Sequence, residues 1–168
     1  MSRFAQVALG ILFITAAVAG YFWWSSPERQ IRRVLADVSE GLSHDAPATG
    51  LSAISAATAL QSYFAPDVTI VPGTPFDPVK GRDSVIAAAA RLMAGTAALR
   101  FEFVDVQINL AFDSRSAGVD CTAVATLRDR AGQETVDARE IVIDMNVIDG
   151  RWVIADARAI DVLEPVTP

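Results

Sequence analysis

The feature that most limits how this chain can fold is a change of hydrophobic period near residue 98. Before it, apolar side chains recur about every 3.6 residues, the spacing of amphipathic helices; after it, they alternate with polar side chains. Alternation predicts strands with one packed face and one solvated face. The chain is therefore expected to be an α+β domain, with three N-terminal helices packed on a curved, mainly antiparallel sheet.

Three helices are predicted before the change of period. Ser26, Pro27 and Glu28 supply an N-cap, an N1 proline and an acidic first turn, which together favour a helix start. The predicted elements are a helix over about 27–43, a helix over about 51–64 with the apolar stripe Ile54, Ala57, Leu60 and Phe64, a short strand over 68–71, a loop over 72–80, and a third helix that ends at Gly95.

Four long strands are predicted after residue 98, joined as an antiparallel meander. The alternation assigns one inward series to each of the first three strands, namely Val104, Val106, Ile108, Leu110 and Phe112, then Val119, Cys121, Ala123, Ala125 and Leu127, then Ile141, Ile143, Met145 and Val147. Arg139 is assigned to the solvated face of the third strand. Asp149 and Gly150 predict a two-residue turn, after which Trp152 is expected to anchor the core or an interface.

Three local phrases carry a resemblance to a known fold family. They lie at the end of the second helix, at the start of the third helix and at the last hairpin: Tyr63-Phe64-Ala65-Pro66-Asp67, Gly81-Arg82-Asp83-Ser84-Val85-Ile86 and Asp149-Gly150-Arg151-Trp152-Val153-Ile154. In this order the phrases resemble the nuclear transport factor 2-like superfamily, which includes SnoaL-like and ketosteroid-isomerase-like enzymes. The resemblance covers most of residues 28–163 and implies a cone formed by a curved sheet and its helices.

The resemblance does not carry an active site to this chain. Enzymes of the superfamily place a tyrosine and an acidic base inside the cone, but the inward series assigned above contain no ionisable group except the Cys121 thiol. No catalytic motif can therefore be transferred residue by residue. Superfamily members also occur as anchored scaffold subunits of secretion machinery and dimerise through the outer face of the sheet, which implies a protein partner or a homo-oligomer.

Individual candidate residues give weak signals. His44 is the only histidine and has no second nitrogen or sulfur ligand nearby, so neither a metal nor a cofactor site is predicted. Cys121 is expected to be a small hydrophobe, and Tyr63 a core residue at a helix end. Asp156 and Arg158 share a strand face with Trp152 by simple alternation. With Tyr63 they could frame a polar cone mouth, or they could form a solvated ion pair.

A separate N-terminal segment, residues 1–25, is predicted to be a transmembrane anchor that precedes the domain at 26–168. Residues 4–24 carry no charge, and as a helix of about 1.5 Å per residue they would cross a hydrocarbon layer of about 30 Å. Tyr21, Trp23 and Trp24 are expected to lie at the membrane interface. A cleaved signal peptide ending near Ala19 is the alternative, but the apolar run continues past that position.

The side of the membrane stays open at this stage. Three arginines follow the apolar run and favour a cytoplasmic domain, whereas Arg3 in a short basic tail favours an exported domain at a bacterial inner membrane; the second orientation is the expectation. A formal charge of −6 without a basic stripe argues against a nucleic-acid partner. The predicted function is a non-catalytic assembly module, and the alternative is a small-molecule site or a SnoaL-like isomerase, hydrolase or dehydratase. A wide cone with convergent polar groups would favour the alternative.

Overall fold

A computed structural model describes residues 26–160 of the chain. The predicted anchor, including Tyr21, Trp23 and Trp24, lies outside the described residues. Within 26–160, no helix combines the length and the apolar character needed to cross a membrane. The helices are α1 (Pro27–Leu42), α2 (Gly50–Ala59), the 3-10 helix Leu60–Tyr63 and α3 (Arg82–Gly95), and the strands are β1 (Phe64–Val71), β2 (Val79–Lys80), β3 (Ala98–Leu110), β4 (Ser116–Arg128), β5 (Glu134–Ile148) and β6 (Arg151–Ala159).

The three predicted helices are present, and the second is shorter than predicted. Its α-helical part ends at Ala59, and a single 3-10 turn leads to Phe64, which already begins β1. Ile54, assigned to the buried stripe, is 57% exposed, while Ala53 takes the buried position. Phe64 is already extended (φ −115°, ψ 142°), and Pro66 disfavours a helical conformation of the preceding Ala65, so the chain enters the sheet here.

The six strands form one sheet in the order β2-β1-β6-β5-β4-β3. The meander β3 to β6 is antiparallel throughout, as predicted, and β1 adds a parallel neighbour to β6. The parallel pairing was not predicted, because it joins residues 64–71 to residues 154–158, which are far apart in sequence. The sheet curves around the helices, so that one end of its concave face is filled and the other end is open.

Two β-bulges change which residues face the core. On β3 the pairing with β4 shifts between Val104 and Gln107, and Asp105 adopts a positive φ of 54° there. The shift places Phe103 on the concave face and leaves Val104 exposed, which reverses the prediction for Val104. Phe112 was also predicted to face inward, but it lies in the β3–β4 turn beyond the end of β3 and is fully exposed. Simple alternation fails because each bulge adds one unpaired residue.

The second bulge lies on β6. Ile154 pairs with Met145 and Asp156 pairs with Asp144, so Ala155 is the extra residue. Asp156 and Arg158 therefore lie on the outer face, opposite to Trp152 and Ile154. The prediction that these residues share one face is wrong for the same reason as on β3.

The core fills the closed end of the cone. The first three turns of α1 contribute Ile31, Leu35 and Val38, which pack with large aliphatic side chains of β4 and β5. Trp152 is 5% exposed and belongs to this cluster, so the structure assigns it to the core. Near the end of α1, a Cβ on Gly41 would collide with the side chain of Leu60, and the glycine thus allows the 3-10 helix to approach α1.

Candidate functional site

The open end of the cone contains a cavity of about 400 Å³. The C-terminal part of α1, the inward residues of β3 to β6 and the segment 72–76 after β1 enclose it. The wall is apolar apart from Asp137, Arg139 and Arg158, which lie at the mouth. A space of this size falls within the range of small-molecule sites in proteins, about 300–1,000 Å³.

The cavity exists because small side chains occupy the sheet where it opens. Its aliphatic and aromatic lining consists of Val38, Leu42, Phe64, Ile70, Val71, Pro72, Phe76, Leu92, Phe101, Phe103, Ala123, Ala125, Leu127, Ile141, Ile143, Ile154, Ala157 and Ala159. Four of these positions are alanines on β4 and β6. On β3, the rings of Phe101 and Phe103 meet edge to face, with centroids 5.0 Å apart. The aromatic side chains offer both ring faces and ring edges to an apolar ligand.

An ion pair on β5 lies at the cavity mouth. Arg139 Nε donates a hydrogen bond to Asp137 Oδ2 at 3.0 Å, and the two side chains are 30% and 47% exposed. Arg139 pairs with Ala123 and Asp137 pairs with Ala125, so both face the cavity rather than the solvated side. The prediction that Arg139 lies on the outer face is wrong, and so is the prediction that Cys121 carries the only ionisable group of the inward series.

Arg139 also holds the segment between β1 and β2. Its Nη1 donates to the carbonyl oxygens of Pro72, at 2.8 Å, and of Thr74, at 3.2 Å. Its guanidinium carbon lies 5.5 Å from the centre of the Phe76 ring, in a cation–π contact. The segment turns back through a hydrogen bond from Phe76 N to Gly73 O. One side chain thus fixes both the position of Phe76 and the shape of the mouth.

The charges of Asp156 and Arg158 are paired with each other. Arg158 Nη1 donates to Asp156 Oδ1 at 3.1 Å and to Asp144 Oδ2 at 3.3 Å. Asp156 and Arg158 thus form an exposed ion pair, and Arg158 also borders the cavity mouth from the outer face. Tyr63 does not line the cavity. Its hydroxyl donates to Asp37 Oδ2 at 3.2 Å, and burial, followed by the Asp37 charge, raises the pKa of Tyr63.

His44 has a structural role between a helix and the sheet. Its backbone pairs with Leu99, and its Nε2 lies 3.0 Å from the carbonyl oxygen of Met93. A carbonyl oxygen only accepts, so Nε2 carries the proton of this hydrogen bond. The ring nitrogen Nδ1 is buried and has no hydrogen-bond partner. His44 lies outside the lining of the cavity.

Cys121 lies on the concave face but is buried beside the core rather than exposed to the cavity. Burial, with a smaller effect from Asp120, raises the pKa of the Cys121 thiol to about 11. Such a thiol is protonated at neutral pH and is a weak nucleophile. Among residues 26–160, no group of three or more His, Cys, Asp or Glu side chains could hold a metal ion.

The two residues that sequence reasoning missed could have been found by a count of positions. Asp137 and Arg139 have the same parity as Ile141 and Ile143, so strict alternation along β5 already places them on the inward face. The charge of Arg139 favours the solvated side, whereas the mouth of a cone is the part of an inward face that solvent reaches.

Comparison with known proteins agrees with this geometry. The family model described as a SnoaL-like domain matches residues 28–158. A search of curated protein sequences gave no significant match. A structure from Novosphingobium aromaticivorans, provisionally assigned as a scytalone dehydratase, superposes with a TM-score of 0.65 at 16% identity, over 79% of this chain and 81% of the other.

Two further structures from the same organism are similar. A protein provisionally assigned as an aromatic ring hydroxylase has a TM-score of 0.64 at 9% identity, over 79% of this chain and 87% of the other. An NTF2-like protein with a cystatin-like fold has a TM-score of 0.63 at 17% identity, over 88% of this chain and 90% of the other. At these identities the likeness concerns the fold alone.

Proposed function

We propose that this chain, which belongs to the SnoaL-like domain family, binds a small, mainly apolar molecule in its cone. The observation that carries the proposal is the apolar cavity of about 400 Å³ at the open end of the sheet. Open apolar space in a protein interior forgoes dispersion contacts and lowers stability, so a ligand that fills it supplies contacts that the fold itself leaves unmade.

Binding is favoured over proton-transfer catalysis by the positions of the ionisable groups. A general acid or base must come within hydrogen-bond reach of the reacting atom, at about 2.6–3.2 Å. The charged side chains along the described lining lie at the mouth, and each is already in an ion pair. Tyr63 and Cys121 have raised pKa values and do not line the cavity.

Enzyme chemistry at the mouth is the second candidate, and one observation favours it. Asp137 is a half-exposed carboxylate on the lining, and two proteins of similar fold are provisionally assigned to a dehydratase and a ring hydroxylase. In this alternative Asp137 would be the base. Turnover of a bound ligand by the wild type, lost in Asp137→Asn without loss of binding, would support the enzyme over the binding module.

The test of binding uses the purified full chain. Organic extraction followed by mass spectrometry should release a co-purifying apolar molecule in stoichiometric amount. The matched control is Ala125→Phe, in which a phenyl ring enters the cavity; it should release little or none of the same molecule. Equal recovery from both proteins would place the molecule outside the cavity and contradict the proposal.

Membrane attachment is a further part of the proposed function. Residues 4–24 supply the uncharged segment, and Tyr21, Trp23 and Trp24 supply the interfacial side chains. α1 begins at Pro27, directly after this segment, and the end of α1 that borders the cavity carries Leu42. The cavity would then open about 24 Å from the start of the domain, at about 1.5 Å per helical residue, and would take its ligand from the aqueous side.

A protein partner remains part of the proposal through the outer face of the sheet. Val104 and Val136 are 37% and 61% exposed there, on β3 and β5. A face of this kind suits a second copy of the chain or another subunit of a membrane complex. Val136→Asp should lower the molecular mass measured by light scattering if the face forms an oligomer, and should leave it unchanged otherwise.

A further inference from the structure

We propose that the Asp137–Arg139 pair determines ligand specificity, by selecting neutral ligands over carboxylates that have the same apolar body. In this proposal Arg139 supplies a hydrogen-bond donor at the mouth, and Asp137 removes the attraction that an arginine would otherwise exert on anions. The inference rests on the proposed binding function and adds a chemical class to it.

The geometry leaves one part of Arg139 available. A guanidinium carries five N–H donors. Nε is bonded to Asp137 and Nη1 to the carbonyl oxygens of Pro72 and Thr74, whereas Nη2 has no hydrogen-bond partner among the described residues. The residue lines the cavity, and its side chain is 30% exposed. Nη2 can therefore donate to an oxygen at the polar end of a bound molecule.

The charge balance at the mouth disfavours an anionic ligand. Arg139 and Arg158 face the three carboxylates of Asp137, Asp144 and Asp156 within ion-pair distance. A carboxylate that approached Nη2 would gain the attraction of Arg139 and meet the repulsion of Asp137, only 3.0 Å from Nε. A neutral carbonyl or hydroxyl oxygen makes the same hydrogen bond without this opposition and without the cost of desolvating an ion.

Asp137 can be changed with little effect on the position of Arg139. Asparagine keeps an acceptor oxygen for Nε, and the bonds from Nη1 to the loop carbonyls do not involve Asp137. Asp137→Asn thus leaves an uncompensated cation at the mouth. Arg139→Gln does the reverse and leaves an uncompensated carboxylate. The two variants should shift specificity in opposite directions.

The experiment measures two probes with one apolar body, 2-acetylnaphthalene and 2-naphthoate, at neutral pH. The full chain is held in lipid nanodiscs, and binding by equilibrium dialysis is corrected with empty nanodiscs. The wild type should prefer the ketone. Asp137→Asn should gain about tenfold in affinity for 2-naphthoate, because the repulsion between Asp137 and the bound carboxylate is removed while the hydrogen bond from Nη2 is kept, with the affinity for the ketone nearly unchanged. Arg139→Gln should lose affinity for 2-naphthoate.

The matched control is Glu140→Gln. Glu140 is exposed and next to Arg139 on β5, but on the opposite face of the strand, and the substitution changes the net charge by the same amount. It should leave both affinities unchanged; a shift as large as that of Asp137→Asn would mean that general electrostatics set the preference, and would overturn the inference.

Failure of the inference and failure of the binding function give different results. If both probes bind, and Ala125→Phe abolishes binding, but Asp137→Asn leaves the ratio of affinities unchanged, the inference is wrong and the binding function stands. If no variant with a native circular dichroism spectrum binds either probe saturably, the binding function is overturned together with the inference.

Discussion

Filling the cavity should stabilise the domain and abolish ligand binding at the same time. Ala125 is the position for this change, because its side chain lines the cavity and its strand partners, Phe101 and Asp137, lie on either side. A cavity of roughly 150 Å³ accepts benzene in a protein core. One phenyl ring should therefore take up about a third of the space available here and block the part of the cavity next to Asp137, where the polar end of the ligand is proposed to lie.

The magnitude follows from the area removed from water. Full burial of a phenylalanine side chain stabilises a protein by about 1.5–3 kcal/mol relative to exposure. The cavity opens to solvent, so Ala125→Phe should gain about 1–2 kcal/mol in the free energy of unfolding. For a domain of this size the melting temperature should rise by about 4 °C per kcal/mol. Gain of stability with loss of function is the pattern expected of an optimised binding site.

The assay pairs thermal unfolding with binding of 2-acetylnaphthalene. The control is Ala138→Phe, because Ala138 is exposed and pairs with Val124 on the outer face of the sheet. It should change the melting temperature little and leave binding intact. If Ala125→Phe lowers stability by the 1–3 kcal/mol typical of overpacking, measured against wild type from which any co-purifying molecule has been removed, protein side chains already fill the space in solution, and the reasoning from the open cavity is refuted.

Three further changes test other parts of the structure. Trp152→Ala should cost about 3–5 kcal/mol in the free energy of unfolding, since Trp152 is a core side chain; a cost below about 1 kcal/mol would contradict its assignment to the core. Burial raises the folded-state pKa of Cys121 to about 11, so the protonated thiol makes its full contribution to the free energy of unfolding below the unfolded-state pKa of 9.0. As the pH rises from 9.0 to about 11, the wild type should therefore lose stability relative to Cys121→Ala. Parallel slopes of stability against pH would contradict the burial of the thiol. Deletion of residues 1–25 should move the protein from the membrane to the soluble fraction, and an unchanged distribution on fractionation would refute the anchor.

Much of the architecture could be predicted, because it depends on periodicity and on capping residues. The start of α1 at Pro27, the end of α3 at Gly95 and the antiparallel meander all follow from local patterns. The buried face of α2 could not be predicted, because Ile54 and Ala53 both fit a helical stripe and only packing against neighbouring elements decides which of them is buried. The parallel pairing of β1 with β6 joins segments far apart in sequence, which local patterns do not report.

The bulges mark a physical limit of reasoning by alternation. At Asp105 and Ala155 one extra residue shifts the register, and every side chain beyond it changes face. Neither position carries a glycine, so neither is visible as a turn residue in the sequence. The candidate site was missed differently: Arg139 obeys alternation, and it was assigned outward because of its charge. The position of Arg139 along β5 predicts its environment better than its charge does, because the inward face of this strand is buried in the core at one end and open to solvent at the cavity mouth.

The pattern of side-chain sizes along the concave face explains why the cone is open at one end. At the closed end, Val119 on β4 and Met145 on β5 belong to the same buried cluster as Ile31 and Leu35 of α1, and these side chains fill the space. Towards the mouth the inward positions of β4 become Ala123 and Ala125, and those of β6 become alanines too, while the backbone keeps its curvature. The distance between sheet and helices is thus set by large residues at one end, and small residues at the other leave the cavity. Inward alanines on two strands that flank the same strand, as on β4 and β6 here, are accordingly a sequence signal for a ligand site. The signal is the small volume of these side chains and not their chemical reactivity.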